Sequence, residues 1–179
     1  MSRRRPISVA EATDCRKPLL AYDGSPASDR ALQAAIELAS GSHCRLTILC
    51  GVVQIPYLAY TGAAPEAVAE LRRSFLTDAE RVLRRAVERL PRGIPVTKRV
   101  SAQPIEQALL NEAREGNHDL VILGSRDRGS IRSVLFGSVS RTMLRRCPLP
   151  VLIARSRRDE APLPEEAPAQ IGPMTPRRA

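Results

Sequence analysis

Five short apolar runs alternate with stretches of helical period, and this order constrains the fold more than any other feature of the chain. The runs cover residues 19–22, 45–53, 95–100, 120–123 and 150–154. A run of about four apolar residues bounded by polar ones suits a strand covered on both faces. Between the runs, Ser25 is a good N-cap and Pro26 suits a first helical position. Leu32, Ala35, Ile36 and Ala39 mark one face of the helix that follows, and Gly41 stops it. Val68, Leu71, Phe75, Ala79, Val82, Ala86 and Leu90 repeat every three or four residues, until Pro91 and Gly93 end the pattern. A third helix over 105–115 turns Ile105, Ala108, Leu109 and Ala113 inward, leaving Glu106 and Glu112 solvated. A fourth starts at Gly137-Ser138, with Val139, Met143 and Leu144 on one face. Strict alternation of this kind predicts an α/β fold: a five-stranded parallel sheet with helices on both faces.

Such sheets bind ligands at the C-terminal ends of their strands, near a topological switch point. Asp23 follows the first predicted strand and Gly124 the fourth, so two loops can converge on one cleft. The stretch after the fourth strand, GSRDRGSIRSVLFGSVSRTMLRRC, carries the richest chemistry in the chain. Glycine permits close approach to backbone, and a helix N-terminus offers free N–H groups and a positive dipole end. The Ser138 and Ser140 hydroxyls add donors, so the segment can cradle a phosphate. The blander reading is that the glycines turn the chain and Ser138 caps a helix. Gly124, Gly129 and Ser130 imitate a Walker loop, but the lysine that such a loop needs is missing, and no GxGxxG occurs. Asp23 can equally complete a turn with Gly24. Ser25 reads as a cap, and no histidine falls in either loop to make a Ser-His-Asp hydrolase. His118 reads as a loop or cap residue.

Composition narrows the partners. The net charge is +9, and the excess of arginine is spread over helix faces and both termini. Two Phe, three Tyr and no Trp leave little for base stacking, so a single-strand nucleic-acid platform is disfavoured. Cys15, Cys44, Cys50 and Cys147 form no CxxC pair, and with only His43 and His118 beside them a zinc site is not expected. Three of the four lie in apolar stretches and read as small core residues. No secretory apolar region and no run of eighteen apolar residues occurs, so the expectation is a cytoplasmic protein with reduced thiols. Residues 1–17 read as a disordered basic leader, 18–155 as one domain, and 156–179, rich in proline and arginine, as a disordered tail.

The segments LLAYDGSPASDRALQAAIELA, HDLVILGSR and FGSVSRTMLRRCPLPVLI together resemble the universal stress protein family. The resemblance runs from about residue 18 to residue 155 and implies a Rossmann-like fold of the adenine nucleotide alpha hydrolase type. ATP-binding members carry Gly, two residues, Gly, nine residues, Gly, then Ser or Thr. Here the first glycine is Gly124, the final pair is Gly137-Ser138, and the second glycine is replaced by Asp127. The resemblance implies that Asp23 contacts the ribose or adenine end and that Val52 lies beside the adenine. It further implies that backbone around Gly124, Gly137, Ser138, Val139 and Ser140 holds the phosphates. Asp127 would face those phosphates; at about 4 Å and an effective dielectric near 20, one unit charge pair is worth up to about 4 kcal/mol. Arg126, Arg128 and Arg132 stand beside it in sequence, and bound Mg²⁺ would turn its charge into a ligand. The implied function is that of an ATP-binding stress-response regulator, a homodimer through the last strand, with at most slow hydrolysis. The alternative is a nucleotide-free interaction module whose site Asp127 has closed. A membrane partner is not expected, and neither is nucleic acid.

Overall fold

The computed structural model describes residues 15–40, 44–52, 64–125 and 137–155. Asp127, the tail, most of the leader and most of the stretch between the second strand and the second helix lie outside them. The elements run β1 (Pro18–Ala21), α1 (Pro26–Ser40), β2 (Leu46–Gly51), α2 (Pro65–Glu88), β3 (Val96–Ser101), α3 (Ile105–Glu115), β4 (Leu120–Gly124), α4 (Ser138–Arg146) and β5 (Val151–Ala154). The strands form one parallel sheet in the order β3-β2-β1-β4-β5. Every predicted strand and helix is present, with ends shifted by a few residues. The chain winds outward from β1 to β3, then returns to the other side of β1 for β4 and β5. The switch point therefore lies between β1 and β4, the two strands that lead to Asp23 and Gly124.

Side chains of successive strand residues point to opposite faces. Leu20, Leu46, Ile48, Cys50, Leu120 and Ile122 accordingly join one core, closed by Ala31, Leu32 and Ala35 of α1 and Ala79, Leu83 and Ala86 of α2. Leu19, Leu49, Val121 and Leu123 join the second, closed by Ala108, Leu109 and Ala113 of α3 and Met143 of α4. This two-sided cover is why the central strands read as continuous apolar runs. All four cysteines are buried thiols.

Two predicted faces need correction. Met143 is fully buried, but Leu144 is 37% exposed. The inner face of α4 runs instead through Ser140, Met143 and on to Cys147. Nor is Glu106 simply solvated: its carboxylate accepts a hydrogen bond from Ser138 Oγ at 3.0 Å. Glu112 is likewise engaged, with Oε1 3.5 Å from Arg99 Nε and 3.6 Å from His118 Nε2. His118 lies in the loop between α3 and β4, as the sequence indicates, but its side chain is buried, with Nδ1 3.1 Å from the Lys17 carbonyl oxygen.

The two edges of the sheet differ. In β3, Thr97, Lys98 and Arg99 are exposed, and charge of this sort discourages pairing with another chain. β5 carries Val151, Leu152, Ile153 and Ala154, all half-buried and none charged.

Candidate functional site

A cavity of about 510 Å³ opens at the C-terminal edge of the sheet. Its wall combines the ends of β1 and β2, the start of α1, the start of α3, the end of β4 and the first turn of α4. Of the residues selected from the sequence, Asp23, Val52, Gly124, Val139 and Ser140 line it. Gly137 and Ser138 stand at the start of α4, beside Val139 and Ser140. Asp127 lies outside the described residues.

The first loop is set by local hydrogen bonds. Asp23 Oδ1 accepts the Ser25 backbone N–H at 3.0 Å, and Gly24 takes φ +77°, a conformation glycine adopts without strain. The turn role foreseen for Asp23 is therefore present, and the residue still reaches the cavity. Ser25 Oγ accepts the Ser28 backbone N–H at 3.3 Å, which is the cap expected of it. Tyr22, next to Asp23, donates its hydroxyl to Asp29 Oδ1 at 2.7 Å, and Arg89 from the end of α2 pairs with the same carboxylate. Burial and the Asp29 hydrogen bond push the Tyr22 phenol up to about 12, so it stays a neutral donor. Burial, aided by nearby Asp23, likewise pushes the Cys50 thiol up to about 11. Neither group is an activated nucleophile at neutral pH.

The second wall is held by β2. Val52 donates its backbone N–H to the Ser101 carbonyl at 2.8 Å, which extends the β2–β3 ladder and fixes Val52 at the rim. A Cβ on Gly51 would stand 3.2 Å from Ile105, so α3 packs closely over this strand end. Gly51 and Val52 both line the cavity.

Gly124 has a stronger reason to lack a side chain than ligand approach. A Cβ there would overlap the carbonyl group of Ala27 and stand 2.8 Å from Ser28 N. The first turn of α1 thus rests directly on the end of β4. Arg30 Nη2 donates to the Ser125 carbonyl at 2.8 Å and Ser125 N–H to the Ala154 carbonyl at 2.9 Å, tying the strand end to α1 and β5. At the far wall α4 begins with Gly137 as N-cap, without a side-chain cap bond and without an acidic residue in its first turn. Its leading N–H groups are the kind that bind anions.

Sequence reasoning missed Tyr22, Ser28, Pro104, Ile105 and Glu106 as lining residues. The position of 104–106 at the C-terminal end of β3 was the available signal, since ligands bind along that whole edge. Among the described residues the lining holds two carboxylates, Asp23 and Glu106, and no lysine, arginine or histidine. No cluster of three potential metal ligands occurs among the described residues, and no helix there is long and apolar enough to cross a membrane.

Comparison with known proteins agrees with this architecture. The model of the universal stress protein family matches residues 15–155. Universal stress protein YxiE of Bacillus subtilis (strain 168) is 32% identical over 146 residues, which is 78% of this chain and 98% of that protein. A universal stress protein family structure from Burkholderia pseudomallei superposes with a TM-score of 0.56 at 28% identity, covering 76% of this chain and 93% of its own. An Arabidopsis thaliana family protein crystallised with AMP bound shares the fold, with a TM-score of 0.59 at 19% identity over 82% of this chain and 95% of its own. On the match across residues 15–155, the chain belongs to the universal stress protein family.

Proposed function

We propose that the cavity at the switch point binds an adenine nucleotide and that the protein is a cytoplasmic stress-response regulator rather than an efficient enzyme. The observation that carries this is the convergence of Asp23, Val52, Gly124, Val139 and Ser140 on one cavity of about 510 Å³. Val52, Ile105 and Val139 give apolar surface for a flat purine. The Asp23 carboxylate is an acceptor for ribose hydroxyls, and the N–H groups that open α4, with the Ser140 hydroxyl, are donors for phosphate. ATP is the ligand that the motif spacing favours, with Mg²⁺ offsetting Asp127. The AMP held by the Arabidopsis protein supports the adenine class. The described lining holds no histidine or lysine, and its two carboxylates are engaged, Asp23 by the Ser25 N–H and Glu106 by the Ser138 hydroxyl, so hydrolysis would rest on phosphate positioning and be slow.

Thermal unfolding followed by circular dichroism tests this directly. At tenfold excess over its dissociation constant, AMP or ATP should add about 1.4 kcal/mol of stability. Asp23→Ala should weaken that gain, and Asp127→Gly should strengthen it for ATP. Absence of any shift in all three proteins would leave an interaction module without nucleotide.

The proposal includes a homodimer through β5, because no described strand covers the outer side of that uncharged edge, whereas the other edge is guarded by Lys98 and Arg99. Ile153→Lys gives β5 the same protection. Sedimentation equilibrium should find the native chain dimeric and the variant monomeric. A monomeric native chain would remove this part of the proposal.

A further inference from the structure

The phosphate end of the cavity contains an anion of its own. Glu106 is in the first turn of α3, and its Oε1 accepts the hydroxyl of Ser138, the first residue of α4, at 3.0 Å. One carboxylate is therefore set between the N-termini of two helices, both of which favour negative charge. α4 has no acidic residue in its own first turn and no side-chain cap, so Glu106 supplies from another element the anion that this helix end attracts. Glu106 also lines the cavity, and no cationic side chain among the described lining residues neutralises it. Asp23, the other carboxylate of the lining, is already committed to the Ser25 turn on the β1 side.

The geometry points to Glu106 as a specificity-determining residue that selects nucleotides by phosphate charge, favouring a monophosphate over a free triphosphate. This rests on the proposed adenine-nucleotide site. A phosphate that approaches the start of α4 meets the N–H donors and the Glu106 charge together. One phosphate group satisfies the donors at a single repulsive contact. Each further phosphate adds negative charge near a fixed carboxylate, and that repulsion grows as salt is removed. The neutral side chain introduced by Glu106→Gln would keep the length and the hydrogen bond to Ser138 while abolishing the repulsion.

The test measures AMP and ATP affinities of the full chain by calorimetry in EDTA, for the native protein, Glu106→Gln and Glu106→Ala. The quantity read is the ratio of ATP to AMP affinity. Both substitutions should raise it at least about fivefold, the order expected for one partly screened charge pair. In the native protein the ratio should rise with added KCl, and in the two variants it should hardly respond. A role confined to supporting Ser138 would lower both affinities together in Glu106→Ala, leave the ratio unchanged and overturn the inference. Binding of both nucleotides with one common ratio in all three proteins overturns it as well, while leaving the nucleotide site standing. Binding of neither nucleotide by any of the three would instead overturn the nucleotide reading, and this inference with it.

Discussion

Gly124→Ala should destabilise the protein by about 3 kcal/mol, the upper end for an overpacked core position. The new methyl carbon would occupy the place of the Ala27 carbonyl and press on Ser28 N. These are backbone atoms in the capped first turn of α1, so no side-chain rotation can relieve the overlap. α1 must lift from β4, which weakens the Arg30–Ser125 hydrogen bond and the core contacts of Ala31 and Leu32. For a chain of this size the shift in Tm should be roughly 10 °C, and circular dichroism at 222 nm will register it. Gly137→Ala is the matched control: a Cβ there meets nothing within 4 Å. Its cost should stay within about 1 kcal/mol, because only the helix cap changes. If Gly124→Ala melted with the native protein, the close seat of α1 on β4 would be wrong.

The same contact explains what was legible in the sequence and what was not. The alternation of apolar runs and helical periods needs only local reading, and it led to the right elements and the right sheet type. The switch point followed from chain order, and so did the meeting of Asp23 with Gly124. Glycine at 124 announced a special position, but a sequence does not say whether ligand or helix comes close. Three residues show where local reading stops. Glu106 reads as solvated when judged on α3 alone, because its partner Ser138 belongs to another element. His118 is the loop residue the sequence indicates, but its burial was not legible, because the Lys17 carbonyl and Glu112 that lie beside it come from other parts of the chain. Leu144 follows Met143 and shares its apolar character, yet the turn of about 100° per residue carries it out of the narrow face that α4 presents to the sheet. Tertiary partners decided the cases of Glu106 and His118, and the helical turn that of Leu144.

Asp119 gives the second large effect, at the opposite end of the strands. Its Oδ2 accepts the Arg16 and Lys17 backbone N–H groups at 2.7 and 2.9 Å, and its Oδ1 accepts the Cys15 thiol at 2.9 Å. These bonds anchor the segment that leads into β1, which the start of β2 also holds through Arg45 N–H and the Arg16 carbonyl at 2.8 Å. Burial alone would push the Asp119 carboxyl up, but the hydrogen bonds from Cys15, Arg16, Lys17 and its own backbone N–H outweigh it, and the group sits below the usual carboxylate range. The Cys15 thiol, pushed far up by burial and by this bond, remains a proton donor at any ordinary pH. Asp119→Asn removes the charge and turns one acceptor into a donor that faces donors. With two charge-assisted bonds lost, the cost at pH 7 should be about 3 kcal/mol. Because the folded carboxyl binds its proton less readily than the unfolded one, its contribution is complete above the unfolded value, near 4, and fades as pH falls through the lower folded value. Urea unfolding of both proteins should therefore show a gap that is constant from pH 7 to about 5 and closes progressively below about pH 4. A gap that stayed the same down to about pH 2.5 would mean that the cost of Asn lies in packing, and that the carboxylate does not hold β1 in place by its charge.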